Sequence, residues 1–216
     1  MAPNIQPGAS LKLYDISKPI SAQLPPWPGD PAYSSEKVAD IRSGAAANVC
    51  KMVLGSHFGT HVDGPYHVFE QGMRIGAVPL QAFIGPACVV NFVAGNSIDV
   101  ADLDGVDLGK VKRILFRTSS NAKSVAFEEH FTYLTPAAAE KLVKAEIVLL
   151  GTDAPSVDPF ESTNLPVHKI LIENGVAILE NLELCQVPEG TYELIALPLK
   201  LLDADASPVR AVLRKR

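Results

Sequence analysis

Three of the five histidines in this 216-residue chain, His57, His61 and His67, fall within one eleven-residue segment, HFGTHVDGPYH, with Asp63 between them. Neutral imidazoles and a carboxylate spaced this closely are the donors that hold a divalent transition metal. His57, Gly59, His61, Asp63, Pro65 and His67 are all odd-numbered, so in extended backbone their side chains share one face. A fully extended run would nevertheless stretch about 33 Å, at about 3.3 Å per residue, too far for one metal centre. The chain must therefore curl around the site, and Gly59, Gly64 and Pro65 supply the bends. The same residues argue against a continuous helix in which His57 and His61, four apart, would share a face as in H-E-x-x-H.

A second pair of candidate ligands, His168 and Glu180, flanks the stretch VHKILIENGVAILE, which reads as helix, turn at Asn174-Gly175, then strand. Glu180 is the one charged residue between Val176 and Leu182, and a lone buried carboxylate is costly unless it is paired or metal-bound. Asp153 and Asp158, in GTDAPSVDP, follow an apolar strand in the position where α/β enzymes place site residues, and read equally well as turn formers. His130, between acidic neighbours and the next aromatic, reads as a partly exposed histidine without a ligand role.

These residues need a frame. Short β-rich runs punctuated by Gly and Pro predict strands at 11–16, 49–54, 87–92, 114–117, 147–151, 176–182, 193–197 and 209–213. Pro136 to Lys144, with Thr135 as N-cap, predicts a helix, and Asn164 to Glu173 a second short one. The order is mixed α/β. At 216 residues, with neither an internal repeat nor a Ser- or Gly-rich linker, the expectation is a single domain over 1–216. Pro25, Pro26, Pro28 and Pro31 turn the segment from Pro19 to Tyr33 into a conformationally restricted loop. It presents Trp27, the sole tryptophan.

Charge and composition remove several function classes. With 24 acidic and 19 basic residues the net charge is −5, which offers no basic field for a nucleic-acid backbone. Arg214-Lys215-Arg216 reads as a solvated C-terminus. Cys50, Cys88 and Cys185 are odd in number and widely spaced, which fits a reducing compartment better than a disulfide framework. No run of 18 apolar residues and no signal-like N-terminus is present, so the expectation is a soluble, cytoplasmic protein with no membrane partner.

The segment HFGTHVDGPYH matches the H-x-G-T-H-x-D-x-P-x-H motif, and by it the chain resembles the metal-dependent cyclase-like hydrolases. WPGDP at 27–31, FRTSSN at 116–121, GTDAPSVDP at 151–159, ILENL at 178–182 and YELIALPLKLLDADASPVRAVLR at 192–214 narrow the resemblance to the kynurenine formamidase branch. That resemblance implies a swivelling β/β/α fold with a mixed sheet, a homodimer, and two zinc ions per chain, with manganese as the alternative metal. It implies that His57, His61 and Asp63 hold one metal, that Asp63 and Glu180 bridge, and that His168 holds the second. His67 would be the proton donor and acceptor, and Trp27 would line the pocket for an aryl formamide. The reaction implied is hydrolysis of N-formyl-L-kynurenine to L-kynurenine and formate, in tryptophan breakdown. Two positions depart from the pattern: Gly64 where relatives usually carry Ala or another small residue, and Val167 where many formamidases have the first of a His-His pair. Related cyclase-like proteins open isatin or other small cyclic amides with a similar motif, which gives the alternative substrate class.

Overall fold

In the computed structural model, which describes residues 12–92, 95–110, 112–118 and 126–215, strands make up most of the regular structure. In chain order they are β1 (Leu13–Asp15), β2 (Ser34–Ala39), β3 (Val49–Val53), β4 (His61–Asp63), β5 (Ile84–Asn91), β6 (Ser97–Ile98) and β7 (Arg113–Arg117). There follow β8 (Tyr133–Leu134), α1 (Pro136–Lys144), β9 (Leu149–Thr152), α2 (Pro166–Glu173), β10 (Ala177–Glu180), β11 (Gly190–Ile195), β12 (Ala206–Pro208) and β13 (Val212–Lys215). Nine of the strands form one mixed sheet in the order β1-β13-β11-β5-β7-β9-β10-β4-β12. Its centre, β5-β7-β9-β10, is parallel, and the flanking pairs are antiparallel.

Helices α1 and α2 lie in the crossovers between the parallel strands, as parallel pairing requires. The Thr135 hydroxyl accepts from the Ala138 amide at 3.2 Å and caps α1, with Pro136 at the first helical position. Alternation along the central strands sorts side chains between two cores. Ile114, Phe116, Leu150 and Ile178 face the helices, packing with Leu142, Val167 and Leu171. Leu115, Leu149 and Leu179 face the other way, into a core shared with Ile16, Val62 and Leu213.

That second core holds residues from both ends of the strand order, so the sheet must curl until its ends meet. Chain length demands the same. From Pro208 in β12, at one end of the sheet, to Val212 in β13, next to the other end, four residue steps reach about 14 Å. Seven flat inter-strand spacings would be about 34 Å. A bridge between Ser17 and Leu182, together with the Glu183 amide donating to the Ile16 carbonyl at 2.9 Å, closes the curl.

Seven of the eight expected strands overlap observed ones in register, and the Pro136 helix matches its expected limits. The run expected at 209–213 is corrected: residues 209–211 are the crossing between β12 and β13, and only the last two of the run enter β13. Strand β4 escapes a periodicity search because its inward face is His61 and Asp63, leaving one apolar residue, Val62. Strand β2, SSEKVA, escapes because the β2-β3 ribbon stands outside the main sheet with its side chains largely exposed. Segment 19–33 is irregular, as its prolines dictate. Arg214 pairs with Glu193 on the neighbouring strand β11, so the basic C-terminal run is partly neutralised within the sheet.

Gly151 lies in β9 with side chains packed closely over it. A Cβ there would sit 2.3 Å from Leu115 Cδ2 and 3.0 Å from Leu182 Cδ1, both in fully buried side chains. Gly151→Ala is expected to cost about 1–3 kcal/mol of stability, the usual penalty of overpacking. Urea unfolding measures it, and an unchanged midpoint would mean that Leu115 repacks without strain.

Candidate metal centre

Sheet register assembles the centre. In β4, His61 and Asp63 are two apart and therefore share a face. Glu180, the last residue of β10, is directly opposite His61 across the antiparallel pair, so its side chain emerges on that same face. On the other side of β4, Asp63 is opposite Ala206 of β12, whose small side chain leaves the face open. His168 comes from the first turn of α2 and reaches the same point from above the strand ends. All four are buried.

The two carboxylates divide their oxygens. Asp63 Oδ1 lies 3.1 Å from His57 Nδ1 and 3.4 Å from His61 Nε2, and Glu180 Oε2 lies 3.3 Å from that same His61 nitrogen. Asp63 Oδ2 and Glu180 Oε1 face the opposite way, 3.5 and 3.3 Å from His168 Nε2. Each carboxylate thus spans two groups of imidazoles. Donor atoms of His61, Asp63 and Glu180 all lie within 4.8 Å of one another, as do those of His57, Asp63 and His67.

The remaining imidazole nitrogens are tied down. His61 Nδ1 is 2.9 Å from the Gly59 carbonyl oxygen, His168 Nδ1 is 2.7 Å from Asp158 Oδ2, and His57 Nε2 is 2.9 Å from Asp205 Oδ2. Fixing one nitrogen by an acceptor leaves the other to present a lone pair, which is how metal-binding histidines are oriented. Gly59 adopts a left-handed φ of +72°, and this turn brings the His57 and His61 rings to 4.9 Å between centroids. Among the described residues, His61 Nε2 and both oxygens of Asp63 are buried without a hydrogen-bond partner. Left so, His61 Nε2 with Asp63 Oδ1 on one side of the carboxylate, and Asp63 Oδ2 on the other, fit cations beside them.

Electrostatics agrees. Burial alone would lower the pKa of His57, but the carboxylates of Asp205 and Asp63 outweigh it and push it up to about 10. His168 is likewise raised well above the usual imidazole range: burial opposes, and Asp158, Asp63 and Glu180 prevail. Burial raises Asp63 and Glu180, while the surrounding imidazoles bring both below the ordinary carboxylate value. Hydrogen bonding from His57, and then from His67, lowers Asp205.

The centre opens into a cavity of about 460 Å³ lined by His57, His61, His67, His168 and Trp27. Trp27, Phe127 and Phe131 form an aromatic wall of this cavity, the indole meeting Phe127 edge-on at 5.1 Å between centroids and Phe131 at 6.3 Å, with Phe160 packed against the indole at 5.3 Å. His67, in a short 3₁₀ turn after Asp63, stands 4.2 Å ring to ring from His57. Asp153 lines the cavity too; burial pushes its pKa up to about 6 even though the Thr118 amide and hydroxyl donate to it. Asp158 is a buttress rather than a turn former: its oxygens accept from His168 Nδ1 and from the Val167 and His168 amides at the start of α2. His130 is exposed and outside the centre.

Several participants lie beyond the sequence reading. Asp205 is the chief of these, and Phe127, Phe131 and Phe160 are others; isolated phenylalanines read as core, and nothing in LDADASP marks one aspartate over another. Both departures from the family pattern find a place. Val167 is fully buried in the core beneath α2, so the exchange at this position lies behind the cavity wall. Gly64 is closely covered: a Cβ would stand 2.9 Å from the Asp205 carbonyl oxygen and 3.0 Å from the Ile75 nitrogen.

The profile of the cyclase family matches residues 14–159. The chain is 44% identical to a kynurenine formamidase of Polaromonas naphthalenivorans, over 95% of this chain and 92% of that one. A solved structure described as a potential metal-dependent hydrolase with cyclase activity superposes with a TM-score of 0.85 at 30% identity, covering 96% of this chain and 99% of that one. An isatin hydrolase from Labrenzia aggregata, bound to benzyl benzoate, shares the fold with a TM-score of 0.81 at 21% identity, over 94% and 93% of the two chains.

Because its carboxylate neighbours push the pKa of His57 up to about 10, and an imidazole must give up a proton to become a metal ligand, metal uptake is expected to be coupled to proton release. Calorimetric metal titrations at pH 7 in buffers of different ionisation enthalpy are expected to show net release, with affinity rising as the pH is raised toward the His57 value of about 10. Heats independent of the buffer would contradict this account.

Proposed function

The chain belongs to the cyclase family, and from that membership and its site we propose a metal-dependent arylformamidase that cleaves N-formyl-L-kynurenine to L-kynurenine and formate. The observation that carries the reading is the junction of a buried, twice-bridged donor set with an aromatic-walled cavity. In this reading residues 1–216 act as one catalytic domain. His57, His61 and Asp63 would hold one zinc and His168 the other, with Asp63 and Glu180 shared between them and manganese as the alternative ion. When bound, the pair of ions supplies Lewis acidity and lowers the pKa of water toward neutrality.

The chain's own groups supply the rest. Trp27 and its neighbouring phenylalanines take the flat aryl ring of the substrate by edge and face contacts. The ring is thereby directed along the wall, with the formamide toward the polar floor. His67, on the cavity surface with its side chain 24% exposed, takes a proton from the water that adds to the formyl carbon. It delivers that proton to the arylamine nitrogen as the C–N bond breaks, so that the water oxygen leaves in formate. Expulsion of an arylamide anion would otherwise be the costly step. Exposed Val38, Val49, Met52 and Val53 on the β2-β3 ribbon support the homodimer in this reading, and the odd number and wide spacing of Cys50, Cys88 and Cys185 support a cytoplasmic setting. None of the described helices is long and apolar enough to cross a membrane.

Purified protein incubated with N-formyl-L-kynurenine is expected to release kynurenine and formate, to lose activity on exhaustive chelation, and to regain it with zinc or manganese. Isatin is the contrasting substrate, and preferential opening of isatin, or full formamidase activity in verified metal-free protein, would overturn the reading. His67→Ala is expected to lower turnover by roughly 10²-fold or more while retaining metal. Since His67 lies within reach of His57 and Asp63, metal loss equal to that of Asp63→Ala would make it a ligand instead.

A further inference from the structure

We infer that Asp205 is a positioning residue that orients the candidate metal ligand His57 and the candidate proton carrier His67 through one carboxylate oxygen. Asp205 Oδ2 lies 2.9 Å from His57 Nε2 and 3.5 Å from His67 Nδ1, while Oδ1 accepts from the Ser56 hydroxyl at 2.7 Å. With its Nε2–H directed at Asp205, His57 turns Nδ1 toward Asp63 Oδ1, 3.1 Å away, and offers a lone pair there once that nitrogen is deprotonated. With its Nδ1 turned toward the same oxygen, His67 has Nε2 left for the proton transfer. A carboxylate behind a ligating imidazole fixes its tautomer and raises its basicity, and the same contact behind a proton carrier fixes the direction of transfer.

The carboxylate can do this because its backbone is held on both sides. The Asp205 carbonyl accepts from the Gly64 amide at 2.7 Å, the Ala204 carbonyl from the Ile75 amide at 3.1 Å, and the Leu201 carbonyl from the Gly76 amide at 2.9 Å. Immediately after Asp205, β12 joins the ladder with Ala206 opposite Asp63. Residues 201–208 therefore form a strap bound to the segment that carries His61, Asp63 and His67. Gly64 is pressed against it too closely to admit a Cβ without movement. The position of Asp205 relative to both imidazoles is thus set by main-chain hydrogen bonds.

This inference rests on the metal-centre reading above, and the test separates the two. Zinc affinity, measured by competition with a chromophoric chelator, needs no substrate, so it reports on Asp205 even if the native protein cleaves no aryl formamide. Asp205→Ala is expected to weaken zinc binding by about 10- to 100-fold, the usual effect of removing the partner of a ligating histidine, and to shift the visible bands of the cobalt-substituted protein. Asp205→Asn, which preserves shape, guards against a folding defect and is expected to fall between Ala and the native residue. At saturating zinc, Asp205→Ala should lower kcat about 10-fold or more with KM within about twofold, and in a His67→Ala background the same change should cost less than about threefold. Native zinc affinity and an unmoved cobalt spectrum would overturn the role toward His57. Losses that multiply fully with His67→Ala, or a raised KM with kcat intact, would overturn the role toward His67, the latter making Asp205 a substrate contact.

Discussion

Asp63 and Glu180 are both removed from water, and their desolvation is the constraint around which the molecule is arranged. Two carboxylates facing each other in a dry interior repel, and each costs several kcal/mol to bury even after relaxation. Imidazoles on two sides offset that cost, and a cation held between them would offset more of it. Those groups must be delivered from distant parts of the chain without leaving other polar atoms unpaired. Register does this for Glu180 and His61, a tight turn for His57, and a helix start for His168.

The imidazoles are in turn governed from behind, each by a different kind of acceptor. A main-chain carbonyl holds His61, a fully buried aspartate holds His168, and a partly exposed aspartate holds His57. The fully buried one, Asp158, also accepts from two amides of the first turn of α2, so the helix and its ligand are fixed by the same carboxylate. Precision therefore comes largely from elements with regular hydrogen bonding, while the irregular, proline-rich segment contributes Trp27 to the aromatic wall.

Legibility in the sequence followed chemistry more than geometry. His57, His61, Asp63, His67, His168 and Glu180 could be picked out because donors of one kind were crowded together, or because a charge interrupted an apolar run. The structure gathers all six at one cavity floor. Asp205 could not be picked out, since its meeting with His57 spans 148 positions and depends on how far the sheet curls. The central parallel strands and α1 were legible from apolar runs and from a Thr-Pro start. Strands β4 and β12 were not, because three residues carry no period and one face of β4 is given over to polar groups.

The curl also sets an order of events during synthesis. Among the described residues β1 pairs only with β13, Leu13 against Arg214, so it waits for a partner made about 200 residues later. At ordinary translation rates the roughly 200 residues between them take about 10–40 s to appear. Through most of that interval the histidine-rich turn is already made, while the strap with Asp205 and strand β13 are still to come. Completion of the centre is consequently a property of the finished chain, and a ribosome stalled short of β12 would hold an open-edged sheet whose imidazoles face water.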